Sequence, residues 1–166
     1  MAVYWITGLS GAGKTTIGHE FYRHLKSFKD NVIFLDGDEL REIFGGGFGY
    51  GFSERKMLAN SYAKLTKMLS DQGIHVVIAT ISMFHEVRDW NRSNINNYFE
   101  IYIKVPMEIL VERDQKNIYS NNEKNVVGFN THMEEPISPD MEIINDGLKS
   151  PKDIVADMII EFLPEE

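Results

Sequence analysis

Three observations in the sequence predict a three-layer α/β sandwich on a five-stranded parallel sheet. Short apolar runs alternate with helical patterns along the whole chain. A glycine-rich turn joins the first run to the first helix, and polar and acidic residues follow several of the runs. Alternation of this kind gives a parallel sheet covered on both faces, with right-handed crossovers and ligands gathered at the carboxyl ends of the strands.

Val3 to Thr7 reads as a short buried strand and Lys14 to Leu25 as a helix. Between them, Gly8-Leu9-Ser10-Gly11-Ala12-Gly13-Lys14-Thr15 fits the phosphate-binding pattern G-x-x-x-x-G-K-[ST]. Such a turn aims backbone N–H groups and a helix N-terminus at one anion. Lys14 would reach the β- and γ-phosphates, and the Thr15 hydroxyl would hold Mg²⁺. The sandwich is therefore expected to be of the P-loop NTPase type and to bind a nucleoside triphosphate.

The next runs are Val32 to Leu35, ending in Asp36-Gly37-Asp38, and His75 to Thr80, which follows a helical stretch from Glu54 to Ser70. Phe99 to Val105, stopped by Pro106, and Met141 to Ile144 complete the strands, and Ile154 to Phe162 closes the chain as an amphipathic helix. Two stretches read as irregular. Residues 45–51 hold five glycines in seven residues and suggest a mobile flap. The segment 117–139, opened by Arg113, Asp114 and Lys116, is long enough to act as a lid over about 113–139.

The 166 residues suit one domain, 1–166, and 43% hydrophobic content is ordinary for a globular protein. No apolar run reaches membrane-span length, and the chain starts on a strand with no signal-peptide pattern. The absence of cysteine excludes disulfides, thiolate metal sites and cysteine catalysis, and suits the cytoplasm. A net charge of −8 argues against a nucleic-acid partner, so individual basic residues carry the information.

Asp36 and Asp38 alternate at a strand end, so they share a face unless the chain turns at Gly37. Beside a phosphate site, one such carboxylate can order the Mg²⁺ shell and the other can hydrogen-bond an attacking hydroxyl. The lesser alternative is that Asp38 caps a helix beginning at Glu39, and the two roles are compatible. Arg41, one turn on, can clamp an acceptor's phosphate or sulfate or stand in solvent. Phe52 is open to base stacking or to the core. Arg113 and Lys116 can fold onto the triphosphate or form an exposed charge cluster. Arg88 and Arg92, four apart on one helix face, also read as a solvated basic stripe. The five histidines show no metal-ligand spacing.

Together these residues resemble the adenylylsulfate kinase (APS kinase) family over nearly the whole chain. The matching segments are Ile6 to Thr16, Leu35-Asp36-Gly37-Asp38-Glu39-Leu40-Arg41, Gly51-Phe52-Ser53 with Asn60, and Ile81-Ser82 with Arg88 and Arg92. They continue with Tyr102 to Pro106 and Glu112 to Lys116. The resemblance implies transfer of the γ-phosphoryl of MgATP to the 3′-hydroxyl of a ribose whose 5′ end carries a mixed anhydride. It puts ATP on Gly8, Ser10, Gly11, Ala12, Gly13, Lys14, Thr15 and Thr16, with Arg113 and Lys116 in the lid. It implies that Asp36 and Thr15 serve Mg²⁺ and that Lys14, Asp36 and Asp38 are catalytic, with Asp38 on the 3′-hydroxyl. Phe52 would stack on the acceptor base, Arg41 and Asn60 would hold its 5′ group, and Ile81 and Ser82 would join that site. The implied partners are a small nucleotide acceptor and a second copy in a homodimer.

The departures fall on the acceptor side and the lid. Where the family usually has Asp-Arg and then N-I-R-R, this chain has Lys56-Met57 and Asn60-Ser61-Tyr62-Ala63. Met83 replaces the usual proline, Asn121-Asn122-Glu123 replace a basic K-A-R run, and F-T-G-I-D reads Phe129-Asn130-Thr131-His132-Met133. The glycine flap at 45–51 also differs. Losing one charge-assisted contact to an anion costs roughly 1.5–3 kcal/mol. Such a site suits either adenylylsulfate, with Lys56 compensating, or cytidine diphosphoramidate, the acceptor of a branch of the family in capsule phosphoramidate biosynthesis. The latter's 5′ group has a nitrogen in place of an anionic oxygen. A small-molecule or nucleoside kinase and a catalytically inactive nucleotide-binding regulatory subunit are the competing readings. The D-G-D-x-x-R element opposes the first, and the retained Lys14, Thr15, Asp36, Asp38 and Arg113 oppose the second.

Overall fold

The computed structural model describes residues 1–44, 47–114, 117, 119, 126–128 and 132–163. Five parallel strands form one sheet in the order β2-β3-β1-β4-β5. They are β1 (Val3–Thr7), β2 (Val32–Asp36), β3 (His75–Thr80), β4 (Tyr98–Lys104) and β5 (Met141–Ile144). The helices are α1 (Lys14–Lys26), α2 (Gly37–Phe44), α3 (Phe52–Asp71), α4 (His85–Asn94), α5 (Met107–Arg113) and α6 (Pro151–Phe162). The expected α/β sandwich is the observed one.

Strand periodicity explains the layers. Along β1, Tyr4 and Ile6 pack with Ile17, Phe21 and Leu25 of α1 and with Ile154 and Met158 of α6. Val3 and Trp5 point the other way, onto Leu40 of α2, Leu58 and Tyr62 of α3 and Val87 of α4. Both faces of the sheet are thus covered by apolar helix stripes. Among the described residues no helix is long and apolar enough to cross a membrane.

Side chains at the helix starts move three boundaries from those the sequence predicts. The Asp38 backbone N–H donates to Asp36 Oδ1 at 2.8 Å, so α2 starts at Gly37 with Asp36 as its capping side chain. The chain turns at Gly37, and the two acids do not share a strand face. Helix α3 starts at Phe52, two residues before the expected Glu54, because the Glu54 carboxylate reaches back to the Gly51 N–H at 2.9 Å. A reciprocal box does the same for α6: Asp153 N–H donates to Ser150 Oγ (3.2 Å) and Ser150 N–H to Asp153 Oδ2 (3.3 Å), with Pro151 at the first turn.

All five carboxyl ends emerge on one edge. Register puts Asp36, Ala79, Ile6 and Ile101 in one row across the sheet. The acid that ends β2 therefore sits level with the last residues before the glycine-rich loop.

Candidate active site

The loop after β1 needs its glycines for two separate reasons. A Cβ at Gly8 would lie 2.4 Å from the Ile103 carbonyl oxygen of β4. Gly13, at the N-cap of α1, has φ +93°, a left-handed conformation that other residues adopt only under strain. The turn closes on itself, with Ala12 N–H donating to Leu9 O at 3.2 Å and Lys14 Nζ to Leu9 O at 2.7 Å. Asn145, just past β5, donates from Nδ2 to Ala12 O at 2.8 Å and braces the loop from behind.

Thr15 Oγ1 donates to Asp36 Oδ2 at 2.6 Å, which brings the two expected metal-side residues together. A cavity of about 420 Å³ opens in front of them. Ser10, Gly11, Gly13, Lys14, Thr15 and Thr16 form its phosphate-loop wall, and Asp36 and Asp38 form its floor. Ile81 and Ser82 line the end of β3. Ser82 is buried, has φ +33° and shares a 2.8 Å hydroxyl hydrogen bond with Thr80. Strained backbone of this kind concentrates at functional sites.

The far wall comes from α2 and α3. Arg41 lines it, donating from Nη2 to the carbonyls of Phe48 (3.3 Å) and Gly49 (2.7 Å) and lying 4.0 Å from the Tyr50 ring centroid. Glu54 takes the N–H groups of Gly49 (3.3 Å) and Gly51 (2.9 Å), so the described part of the expected flap is tied down from two sides. Arg55, Leu58 and Tyr62 line the cavity as well, none of them singled out as a site residue from sequence. Their spacing of three and four along α3 is the signal that could have found them. Burial pushes the Tyr62 phenol up, with Arg41 opposing and Asp38 adding.

Other expected site residues lie off the cavity wall. Phe52 is 44% exposed and meets Phe84, a cavity residue, edge-on at 5.2 Å between centroids. Asn60 spends its Nδ2 on the Lys56 carbonyl within α3, at 3.0 Å. Arg113 donates to Asn145 O at 3.0 Å, at the end of β5 behind the phosphate loop. Lys116 lies outside the described residues, as do Asn121 to Glu123 and Phe129 to Thr131. Of the expected lid, Tyr119 is buried and donates from its hydroxyl to Ser10 O at 2.8 Å, and Val126 and Val127 line the cavity. Burial, with Asp114 nearby, pushes the Tyr119 phenol up to about 12.

Arg88 and Arg92 do not form a solvated stripe. Arg88 is buried, with Nε 3.6 Å from Glu100 Oε1 and Nη2 donating to Glu134 O at 2.5 Å. Arg92 reaches Asp140 at 3.0 Å and Glu100 at 3.5 Å. The pair locks α4 to β4 and to the segment leading into β5. Burial dominates at both members of the inner pair, pushing the Glu100 carboxyl up and the Arg88 guanidinium down.

Whole-chain comparisons agree with this geometry. The family model for adenylylsulphate kinase matches residues 1–144. A cytidine diphosphoramidate kinase from Campylobacter jejuni is 44% identical over 97% of this chain and 95% of its own. A probable adenylyl-sulfate kinase from Archaeoglobus fulgidus is 33% identical over 87% of this chain and 96% of its own. The solved Mycobacterium tuberculosis APS kinase CysC, in complex with AMPPNP and APS, superposes with a TM-score of 0.86 at 25% identity and covers 96% of each chain. The phosphate loop, the acids at the end of β2 and these similarities converge: the chain is a kinase of the adenylylsulphate kinase family.

Proposed function

We propose that the protein transfers the γ-phosphoryl group of MgATP to the ribose 3′-hydroxyl of a 5′-nucleotide mixed anhydride, with cytidine diphosphoramidate as the favoured acceptor. Tyr62 is the observation that carries the acceptor. A buried, neutral phenol lines the cavity at an arginine position of the family pattern N-I-R-R. Met57, at the arginine of the preceding Asp-Arg pair, is 56% exposed and off the cavity wall. With Arg41 and Arg55 as its cations and a phenol at 62, the α2–α3 wall suits a terminal group in which nitrogen replaces one anionic oxygen. The 44%-identical Campylobacter jejuni relative supports the same acceptor. Adenylylsulfate is the second reading, supported by the 33%-identical Archaeoglobus relative.

The phosphate loop would hold the β- and γ-phosphates through its backbone N–H groups, with Lys14 as their cation. Thr15 and Asp36 offer hard oxygen donors 2.6 Å apart, a set that fits Mg²⁺. When bound there, Mg²⁺ neutralises charge on the transferring phosphoryl oxygens. Asp38 projects from the first turn of α2 into the cavity, where its carboxylate would orient the 3′-hydroxyl and accept its proton. Arg113 and the segment 113–139 belong to the nucleotide side as a lid, with Tyr119 fastened to Ser10. A single domain, a homodimer and a cytoplasmic location complete this reading.

A coupled ADP-release assay at saturating MgATP, with both acceptors side by side, tests it. The expected result is faster turnover with cytidine diphosphoramidate. Turnover with adenylylsulfate alone would reverse the acceptor assignment, and none with either would remove the transfer reading.

A further inference from the structure

We propose that Arg55 is an acceptor-specificity residue whose guanidinium, beside that of Arg41, receives the anionic 5′ phosphoryl oxygens of the acceptor. The inference deepens the proposed function and rests on it for the identity of the acceptor. Arg55 sits on the α3 wall of the cavity, away from the phosphate loop that would hold ATP. Its Nε donates to the Tyr50 carbonyl at 3.0 Å, and its guanidinium stands 5.8 Å from the Phe84 ring centroid, so the group is fixed in place. Its Nη2 is shielded from solvent and has no hydrogen-bond partner. Among the described residues neither Arg55 nor Arg41 has a carboxylate within ion-pair distance. The adjacent Glu54 is occupied by the Gly49 and Gly51 N–H groups.

Two guanidiniums held close without a counter-ion oppose each other. Burial first, and then Arg41, pushes the Arg55 guanidinium down. A buried donor left unpaired is costly, and a guanidinium is the side chain best shaped for bidentate contact with phosphoryl oxygen. An anionic phosphoryl group in this half of the cavity removes both penalties at once. Arg55 lies one turn before Leu58 and two before Tyr62, on the face of α3 that lines the cavity, whereas Met57 points off it. The chain thus supplies its anion contact from a position two residues earlier than the family pattern.

Arg55→Gln and Arg55→Lys test the assignment. With the acceptor that is turned over, Arg55→Gln should raise its KM roughly tenfold to hundredfold, leaving kcat and the KM for ATP unchanged. Arg55→Lys should fall between. A merely structural role would shift the ATP KM and the melting temperature as well. The second arm needs no turnover: inorganic pyrophosphate is titrated calorimetrically into protein saturated with Mg²⁺ and AMPPNP. Wild type should bind it, and Arg55→Gln should bind it at least about tenfold more weakly. An unchanged acceptor KM, equal pyrophosphate affinities, or no pyrophosphate binding by wild type overturns the assignment. Failure of both acceptors in the turnover assay, by contrast, removes the proposed function while the pyrophosphate arm still decides Arg55.

Discussion

The Thr15 hydroxyl donates a 2.6 Å hydrogen bond to one oxygen of Asp36, while the other oxygen of Asp36 takes the Asp38 N–H at 2.8 Å. One carboxylate therefore joins the first turn of α1 to the end of β2 and also starts α2. Asp36→Asn keeps an oxygen for the α2 cap and loses the charge that would face Mg²⁺. The Mg²⁺ concentration for half-maximal rate should rise roughly tenfold or more, with the melting temperature little changed. A Mg²⁺ titration of the initial rate checks this; an unchanged midpoint would free Asp36 from the metal role.

Asp38 tests the acceptor side. Asp38→Asn should lower kcat by about a hundredfold, with the KM for ATP nearly constant, because the carboxylate would act on the hydroxyl and not on the nucleotide. Positioning in a loose transition state outweighs proton removal, which puts the loss at the low end of general-base effects. Steady-state kinetics in both substrates decides, and an unaltered kcat would remove the role.

Gly13→Ala should damage loop and nucleotide binding together. The added Cβ would sit 2.7 Å from Asn145 Nδ2, the group that holds Ala12 O, at a backbone φ of +93°. The cost should be about 1–3 kcal/mol of folding stability, with weaker AMPPNP binding. Thermal melts with and without AMPPNP measure both; wild-type behaviour in both would show that the turn tolerates a side chain.

Glu100→Ala should destabilise the fold by about 3 kcal/mol or more. Glu100 and Arg88 are 4% and 3% exposed at their side chains, and Arg88 Nη1 already lacks a partner. Removing the carboxylate would strand a buried guanidinium between α4 and β4. Urea unfolding of the variant gives the number, and a loss below about 1 kcal/mol would mean that the pair is energetically no better than a surface one.

His75 gives the pH dependence. Its Nδ1 accepts the Ala2 N–H at 3.1 Å, and burial, then Lys29 and the N-terminal amine, push its imidazolium below the ordinary histidine range. The folded state thus favours neutral His75. Its contribution is complete above the unfolded pKa, about 6.5, and is lost as pH falls from there through the lower folded value. Melting temperatures between pH 7.5 and 5 should drop more steeply for wild type than for His75→Gln. Parallel curves would remove His75 as a source of acid sensitivity.

Sheet and phosphate loop were legible because each is a local pattern, apolar run and glycine turn, whereas the placing of Asp36 beside Thr15 was implied by the family resemblance and not by the alternating acids alone. The start of α2 stays open in the sequence because two nearby acids compete to cap it, and Asp36, not Asp38, supplies the cap. Arg88 read as a surface charge because its partner, Glu100, lies on a strand whose neighbours depend on sheet order. Arg55 is marked in the sequence only by its helical spacing with Leu58 and Tyr62, since its place in the cavity follows from how α3 packs on β3.

In the proposed reading, most of the acceptor wall lies in one stretch of chain, with Ile81, Ser82 and Phe84 added from just after β3. Arg41, Tyr50, Arg55, Leu58 and Tyr62 all fall in the crossover from β2 to β3, while the phosphate loop belongs to the β1–α1 junction and is braced from β5. On that reading, exchange within one crossover would change substrate preference and leave the phosphate loop as it is. That separability makes residues 37–62 a natural cassette to graft between relatives with different acceptors.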